Sequence, residues 1–156
     1  MRAVAVLVRL GILATGPGLV PRASADATSQ YVRTESGRVR CVVFVDRVAC
    51  EASGPGSTGF VQAPITMQES ECTYVPCPGG MHSDIAAITA SGAFKWNDGN
   101  IGGVGSNWDQ TDTTLGYGQT YHISGWTILP SSDGTRFTND GTGHGMFVSV
   151  DNVSSF

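Results

Sequence analysis

The stretch Gly37-Arg38-Val39-Arg40-Cys41-Val42-Val43-Phe44-Val45-Asp46-Arg47-Val48-Ala49-Cys50-Glu51-Ala52 decides the fold class. Side chains alternate between the two faces of a strand, so Val39, Cys41, Val43 and Val45 share one face, and Arg38, Arg40, Val42 and Phe44 share the other. Asp46 marks a turn. If that turn centres on Val45-Asp46, Val43 stands opposite Val48 and Cys41 opposite Cys50. Facing residues of antiparallel strands bring their Cα atoms within reach of a disulfide. Closing a loop of about ten residues this way contributes roughly 2.7 kcal/mol in the chain-entropy account. Cys72 and Cys77 are then left to pair across Thr73-Tyr74-Val75-Pro76. This connectivity is preferred, and the two crossed ones stay open.

A second hairpin repeats the construction. Tyr121–Leu129 runs into the turn signal Ser131-Ser132-Asp133-Gly134 and returns as Thr135–Asn139. When Cys41 is aligned with Ile128, Cys50 falls on Phe137, so an apolar cross-strand pair stands where the first hairpin has its disulfide. Elsewhere, short runs rich in Val, Thr, Tyr, Phe and Trp alternate with Gly, Pro, Asn and Asp clusters. The only helix candidate, residues 82–90, equally suits a strand entering the Ser91-Gly92 turn, and the strand is preferred. The expected fold is all-β, a small sandwich or open barrel built from two similar hairpins.

The first 25 residues read as a secretory signal peptide. Met1-Arg2 begins a short apolar run, Gly16-Pro17-Gly18 breaks it, and Ala23-Ser24-Ala25 offers a cleavage site. The run is shorter than the ~20 residues that span a bilayer. Residues 26–156 are expected as one exported β domain, secreted or associated with the cell envelope. They keep six basic residues against all thirteen acidic ones. Nucleic-acid binding draws most of its affinity from Lys and Arg at phosphates, so that partner class is set aside, as is anionic lipid. Four cysteines in an oxidising compartment point to disulfides, and their spacings do not suit zinc. No cofactor is implied.

Two segments resemble a family of small secreted actinobacterial domains of unknown function. Thr34-Glu35-Ser36-Gly37-Arg38-Val39-Arg40-Cys41 with Val48-Ala49-Cys50-Glu51 is similar to that family's Ser-Gly-Asn-Ile-x-Cys hairpin. Tyr117-Gly118-Gln119-Thr120, Thr138-Asn139-Asp140-Gly141-Thr142-Gly143-His144-Gly145-Met146-Phe147 and the final Phe156 are similar to its C-terminal part. The family usually has cysteines where this chain has Ile128 and Phe137, and Cys72 and Cys77 have no clear counterpart. The resemblance implies the exported two-hairpin picture and no activity.

The candidate chemistry is sparse. His82, His122 and His144 are the only histidines; adjacent His82-Ser83-Asp84 point apart on a strand and form no triad among themselves. No nucleophile elbow is present, and no catalytic residue is assigned. His144, between two glycines, reads as a turn residue bonding a nearby carbonyl. Asp98, Asp109, Asp112, Asp133 and Asp140 read as solvated turn acids, though paired carboxylates also serve glycosidases. Trp96 and Trp126 are expected in the core. Trp108, with Asn107, Asp109 and Tyr117, is the candidate ligand-binding group. The leading expectation is a non-enzymatic secreted binding or interaction module, its ligand a glycan or a protein. The alternative is a small secreted hydrolase acting on envelope glycans or esters.

Overall fold

A computed structural model describes residues 29–73, 76–102 and 112–156. Among the described residues the strands in chain order are β1 (Gln30–Thr34), β2 (Val39–Val43), β3 (Arg47–Ala52), β4 (Ile65–Met67), β5 (Met81–His82), β6 (Ile85–Thr89), β7 (Phe94–Asn97), β8 (Thr113–Leu115), β9 (Tyr121–Ile123), β10 (Trp126–Ser131), β11 (Gly134–Asn139), β12 (Gly145–Val148) and β13 (Val153–Ser155). Two open sheets, ordered β7-β6-β3-β2-β1-β8 and β13-β12-β11-β10-β9, carry most of them. Residues of both sheets fill a single core, which makes the fold an all-β sandwich rather than a barrel.

The expected registers are observed. Cys41 pairs with Cys50 and Val43 with Val48, the turn lying at Val45-Asp46. Both expected disulfides, Cys41–Cys50 and Cys72–Cys77, are present. Ile128 faces Phe137 in the second hairpin. Val45 departs from the expected core face: it sits in the turn and is 63% exposed, since strand alternation ends at Val43. The 82–90 stretch is strand, as β5 and β6.

The duplication extends well beyond the hairpins. One constant offset carries β2 onto β10 and β3 onto β11, pair for pair. The neighbours follow. β1 flanks β2 as β9 flanks β10. β6 and then β7 extend from β3 as β12 and β13 extend from β11. Each sheet therefore contains a five-stranded meander of the same topology, and β6 packs across the sandwich on β12. The first repeat adds β8, parallel to β1. It also inserts residues 53–84 where the second repeat has only 140–144, and Cys72 and Cys77 belong to this insertion.

The core shows how the two repeats complement each other. Cys41 and Cys50 are 1% and 0% exposed, and their counterparts Ile128 and Phe137 are both fully buried. Trp126 is fully buried and donates its Nε1–H to the Phe44 carbonyl at 2.9 Å. Trp96 is half-buried against Phe60 and Phe94. One position carries a cost. Thr135, the counterpart of Val48, is fully buried, and its hydroxyl has no hydrogen-bond partner among the described residues. Leaving a buried donor unmet costs about 1–3 kcal/mol. Thr135→Val, which copies the first repeat, is therefore expected to stabilise the protein by about 1 kcal/mol, a rise in Tm of roughly 3–5 °C. A melting temperature unchanged or lowered in calorimetry would show that this hydroxyl is met.

Candidate functional site

The two repeats are related by an approximate twofold that exchanges the ends of the sandwich. The β2–β3 turn of the first repeat lies at one end, and its counterpart, the β10–β11 turn, lies at the other beside the β1–β2 turn. The two ends are thus built from equivalent loops with different sequences. Among the described residues, one is closed by contacts between the repeats and the other opens on cavities.

At the closed end, Thr138-Asn139-x-x-Thr142-Gly143-His144-Gly145 acts as a clamp. Asn139 is 7% exposed, and its Oδ1 accepts from the amides of Gly141 and Thr142, both at 3.1 Å. This fixes the loop, so that the Thr142 hydroxyl reaches across to donate to the Ala90 carbonyl of the first repeat at 2.6 Å. The His144 ring lies on Gly92, where a Cβ would come within 2.8 Å of its Nδ1. That nitrogen also faces the Phe156 carbonyl at 3.4 Å. Gly145 admits no side chain, because a Cβ would run into the Phe137 carbonyl and the Phe156 ring. Phe156 in turn carries the Arg136 guanidinium 3.6 Å above its ring. Thr142 and His144 thus pack across the junction between the repeats, while Asn139 and Gly145 fix the loop and the last strand within the second repeat. Trp126 completes the plug from within.

At the open end the equivalent places are less filled. Val39 is the counterpart of Trp126, and it floors a cavity of about 140 Å³ between the β1–β2, β10–β11 and β12–β13 turns. The counterpart of the clamp is Ser53-Gly54-Pro55-Gly56-Ser57-Thr58-Gly59, the start of the insertion. Between this loop and Val150-Asp151 lies a cavity of about 370 Å³. Arg38, Val150 and Asp151 line both cavities and form the ridge between them. The β1–β2 turn is held firmly: the Thr34 hydroxyl accepts from the Val39 amide at 3.2 Å, and Ser53 Oγ donates to the Gly37 carbonyl at 2.9 Å. Arg38 is exposed, and among the described residues it enters no ion pair.

Tyr117 stands at this same end. It is 38% exposed and lines the smaller cavity, while its amide donates to Glu35 Oε2 at 2.9 Å. The other three candidate ligand residues, Asn107, Trp108 and Asp109, lie outside the described residues. The flanks of that segment both lead to Arg40. The Ile101 amide donates to Glu51 Oε2 at 3.1 Å, and Asp112 takes two bonds from Arg40, at 2.7 and 3.0 Å. Arg40 also pairs with Glu51 at 3.6 Å and stacks on Tyr31. Asp112 is therefore no solvated turn acid but half of a partly buried, bidentate ion pair. Its hydrogen bond holds the Arg40 guanidinium charged, raising it above its ordinary range.

The histidines are dispersed. His122 Nδ1 meets the Thr127 hydroxyl at 3.1 Å, and that hydroxyl donates to Asp140 Oδ1 at 2.6 Å. Here the hydroxyl stands between acid and imidazole, the wrong order for a base-activated nucleophile. His82 Nδ1 bonds the Ala63 carbonyl at 2.8 Å. Its ring, with Ser57, Asp84 and Asp98, borders a third cavity of about 170 Å³. Asp84 Oδ1 there accepts the Gly99 amide at 3.0 Å, and no hydrogen bond links Ser57 to His82 among the described residues. Those residues contain no group of three or more His, Cys, Asp or Glu able to hold a metal ion.

Sequence reasoning missed Arg38, Asp151 and the 53–59 loop as site residues. The Gly/Ser-rich loop was the available signal, but its meaning depends on knowing which end it joins. No protein-family model, curated protein or solved structure matches this chain.

Proposed function

We propose that this protein is an exported, non-enzymatic binding module of the cell envelope or extracellular space that engages its ligand at the open end of the sandwich. The observation that carries this reading is the contrast between equivalent ends: one is plugged by Trp126 and the Asn139–Gly145 clamp, the other leaves cavities bordered by Tyr117, Arg38 and Asp151. Loops at one end of a rigid sandwich are a common place for recognition. Two disulfides fit an oxidising compartment, and no described helix is long and apolar enough to cross a membrane.

A second reading, a small secreted hydrolase, is favoured by one observation, the gathering of His82, Ser57, Asp84 and Asp98 around the third cavity. The two readings separate in one assay. The oxidised protein is incubated with purified, insoluble peptidoglycan, and both retention and released soluble fragments are followed. The binding module is expected to be retained saturably and to release nothing, with His82→Ala behaving as wild type. Fragment release that disappears in His82→Ala or Asp84→Asn would establish the hydrolase instead.

A further inference from the structure

Resting on the binding-module reading, we propose that the open end takes a short saccharide, held across the Arg38–Asp151 ridge with its ring faces on Val150 and Tyr117. The repeat itself indicates where a ligand belongs. At the closed end the junction between the repeats is filled from within the chain: Trp126 supplies apolar bulk, the Thr142 hydroxyl satisfies the Ala90 carbonyl, and the His144 ring covers Gly92. At the open end Val39 stands for Trp126, and a loop with glycine at 54, 56 and 59 stands for the clamp. The space that remains, about 370 Å³ on one side of the ridge and 140 Å³ on the other, has no side chain in these roles. The larger cavity alone lies within the ~300–1,000 Å³ of small-ligand sites. What is left unfilled corresponds to a flat apolar body bearing hydroxyls.

The walls fit that description. Arg38 offers a planar fork of donors and Asp151 a carboxylate acceptor, the pair that can hold vicinal hydroxyls. Ser57 and Thr58 add short-range hydroxyls from the loop. The half-buried Val150 and the half-exposed Tyr117 offer apolar faces for C–H groups above the buried Val39. A purely apolar ligand would leave the Arg38 and Asp151 head groups desolvated and unpaired, which is costly. A strongly anionic ligand would meet Asp133 and Asp151 at the same rim, on a chain already rich in acids. A neutral, polyhydroxylated ligand meets neither penalty.

The test is calorimetric titration of the oxidised protein with chito-, cello- and xylo-oligosaccharides and with soluble glycan fragments of peptidoglycan. At least one is expected to bind saturably. Arg38→Ala and Asp151→Asn, both exposed positions, are each expected to weaken it about tenfold or more, the loss of a charge-assisted hydrogen bond. Val39→Trp, which copies the plug of the closed end, is expected to abolish binding. Should that variant fail to fold, Ser57→Trp at the mouth of the larger cavity serves the same purpose. Saturable binding indifferent to Arg38, Asp151 and both tryptophan variants would overturn the cleft and leave the binding module standing. Binding by none of these saccharides would overturn the ligand class. Cleavage of a bound saccharide would overturn the non-enzymatic reading itself.

Discussion

Gly145→Ala is expected to destabilise the protein by about 4 kcal/mol or more, at the extreme of single substitutions. The added methyl has nowhere to go. Its Cβ would collide with the carbonyl of Phe137, which is backbone of the neighbouring strand, and would lie 2.7 Å from Phe156 Cζ. The Phe156 ring can rotate away, but β11 cannot move without breaking its pairing with both β10 and β12. Gly145 also exchanges two backbone bonds with Phe156, each at 3.0 Å, so a shift of β12 loosens the last strand as well. Against a total stability of about 5–15 kcal/mol, this is a fall in Tm of roughly 10 °C or more. Gly141→Ala, four residues earlier, is the control: its Cβ would find only Asn139 Oδ1, at an ordinary 3.5 Å. That variant is expected within about 0.5 kcal/mol of wild type. If calorimetry placed both variants close to wild type, the clamp would not be the tight junction described.

The second large effect concerns the cysteines. Cys41→Ala with Cys50→Ala removes a cross-link and leaves a void at the centre of the first sheet, since both sulfurs are buried. The lost loop constraint is about 2.7 kcal/mol, and unfilled volume adds to it, giving about 3–5 kcal/mol in all. Cys72→Ala with Cys77→Ala removes the link across a shorter loop within the insertion, where Cys77 is buried but Cys72 is partly exposed and β4 is exposed along its whole length. That pair is expected to change global unfolding by much less, its effect staying in the local finger. Denaturant unfolding of the two double variants should therefore separate them clearly. Equal midpoints, or a larger loss from the second pair, would contradict the placement of Cys41–Cys50 at the core.

Much of the fold was legible because strand periodicity and short turns are local. The period of two in Gly37–Ala52, with one turn, sets the register that brings Cys41 to Cys50. The same spacing in Tyr121–Asn139 sets Ile128 against Phe137. The rest of the duplication was hidden, because residues 53–84 displace β6 from β3 and because equivalent positions differ in identity and sometimes in burial: buried Ala86 answers to buried Met146, but half-buried Trp96 to exposed Ser155. The Arg40–Asp112 pair joins residues 72 apart in sequence, so Asp112 read as an ordinary loop acid. The clamp motif could be quoted from the sequence but not interpreted, as Ala90 and Gly92 belong to the other repeat. The candidate site was least legible of all. Tyr117 was singled out as an aromatic grouped with Trp108, whereas Arg38 and Asp151 become neighbours only once the twofold has exchanged the ends of the sandwich.

The central claim is that two equivalent ends of one duplicated sandwich have diverged, one closed for packing and one open for a ligand. It is tested most directly by mapping backbone amide chemical shifts of the oxidised protein during titration with soluble glycan fragments of peptidoglycan. The predicted result is a saturable response concentrated in residues 34–39, 53–59 and 149–152, with residues 124–125 and 139–145 unmoved. A response centred on the clamp or on the outer face of the second sheet, or no response at all, would contradict it.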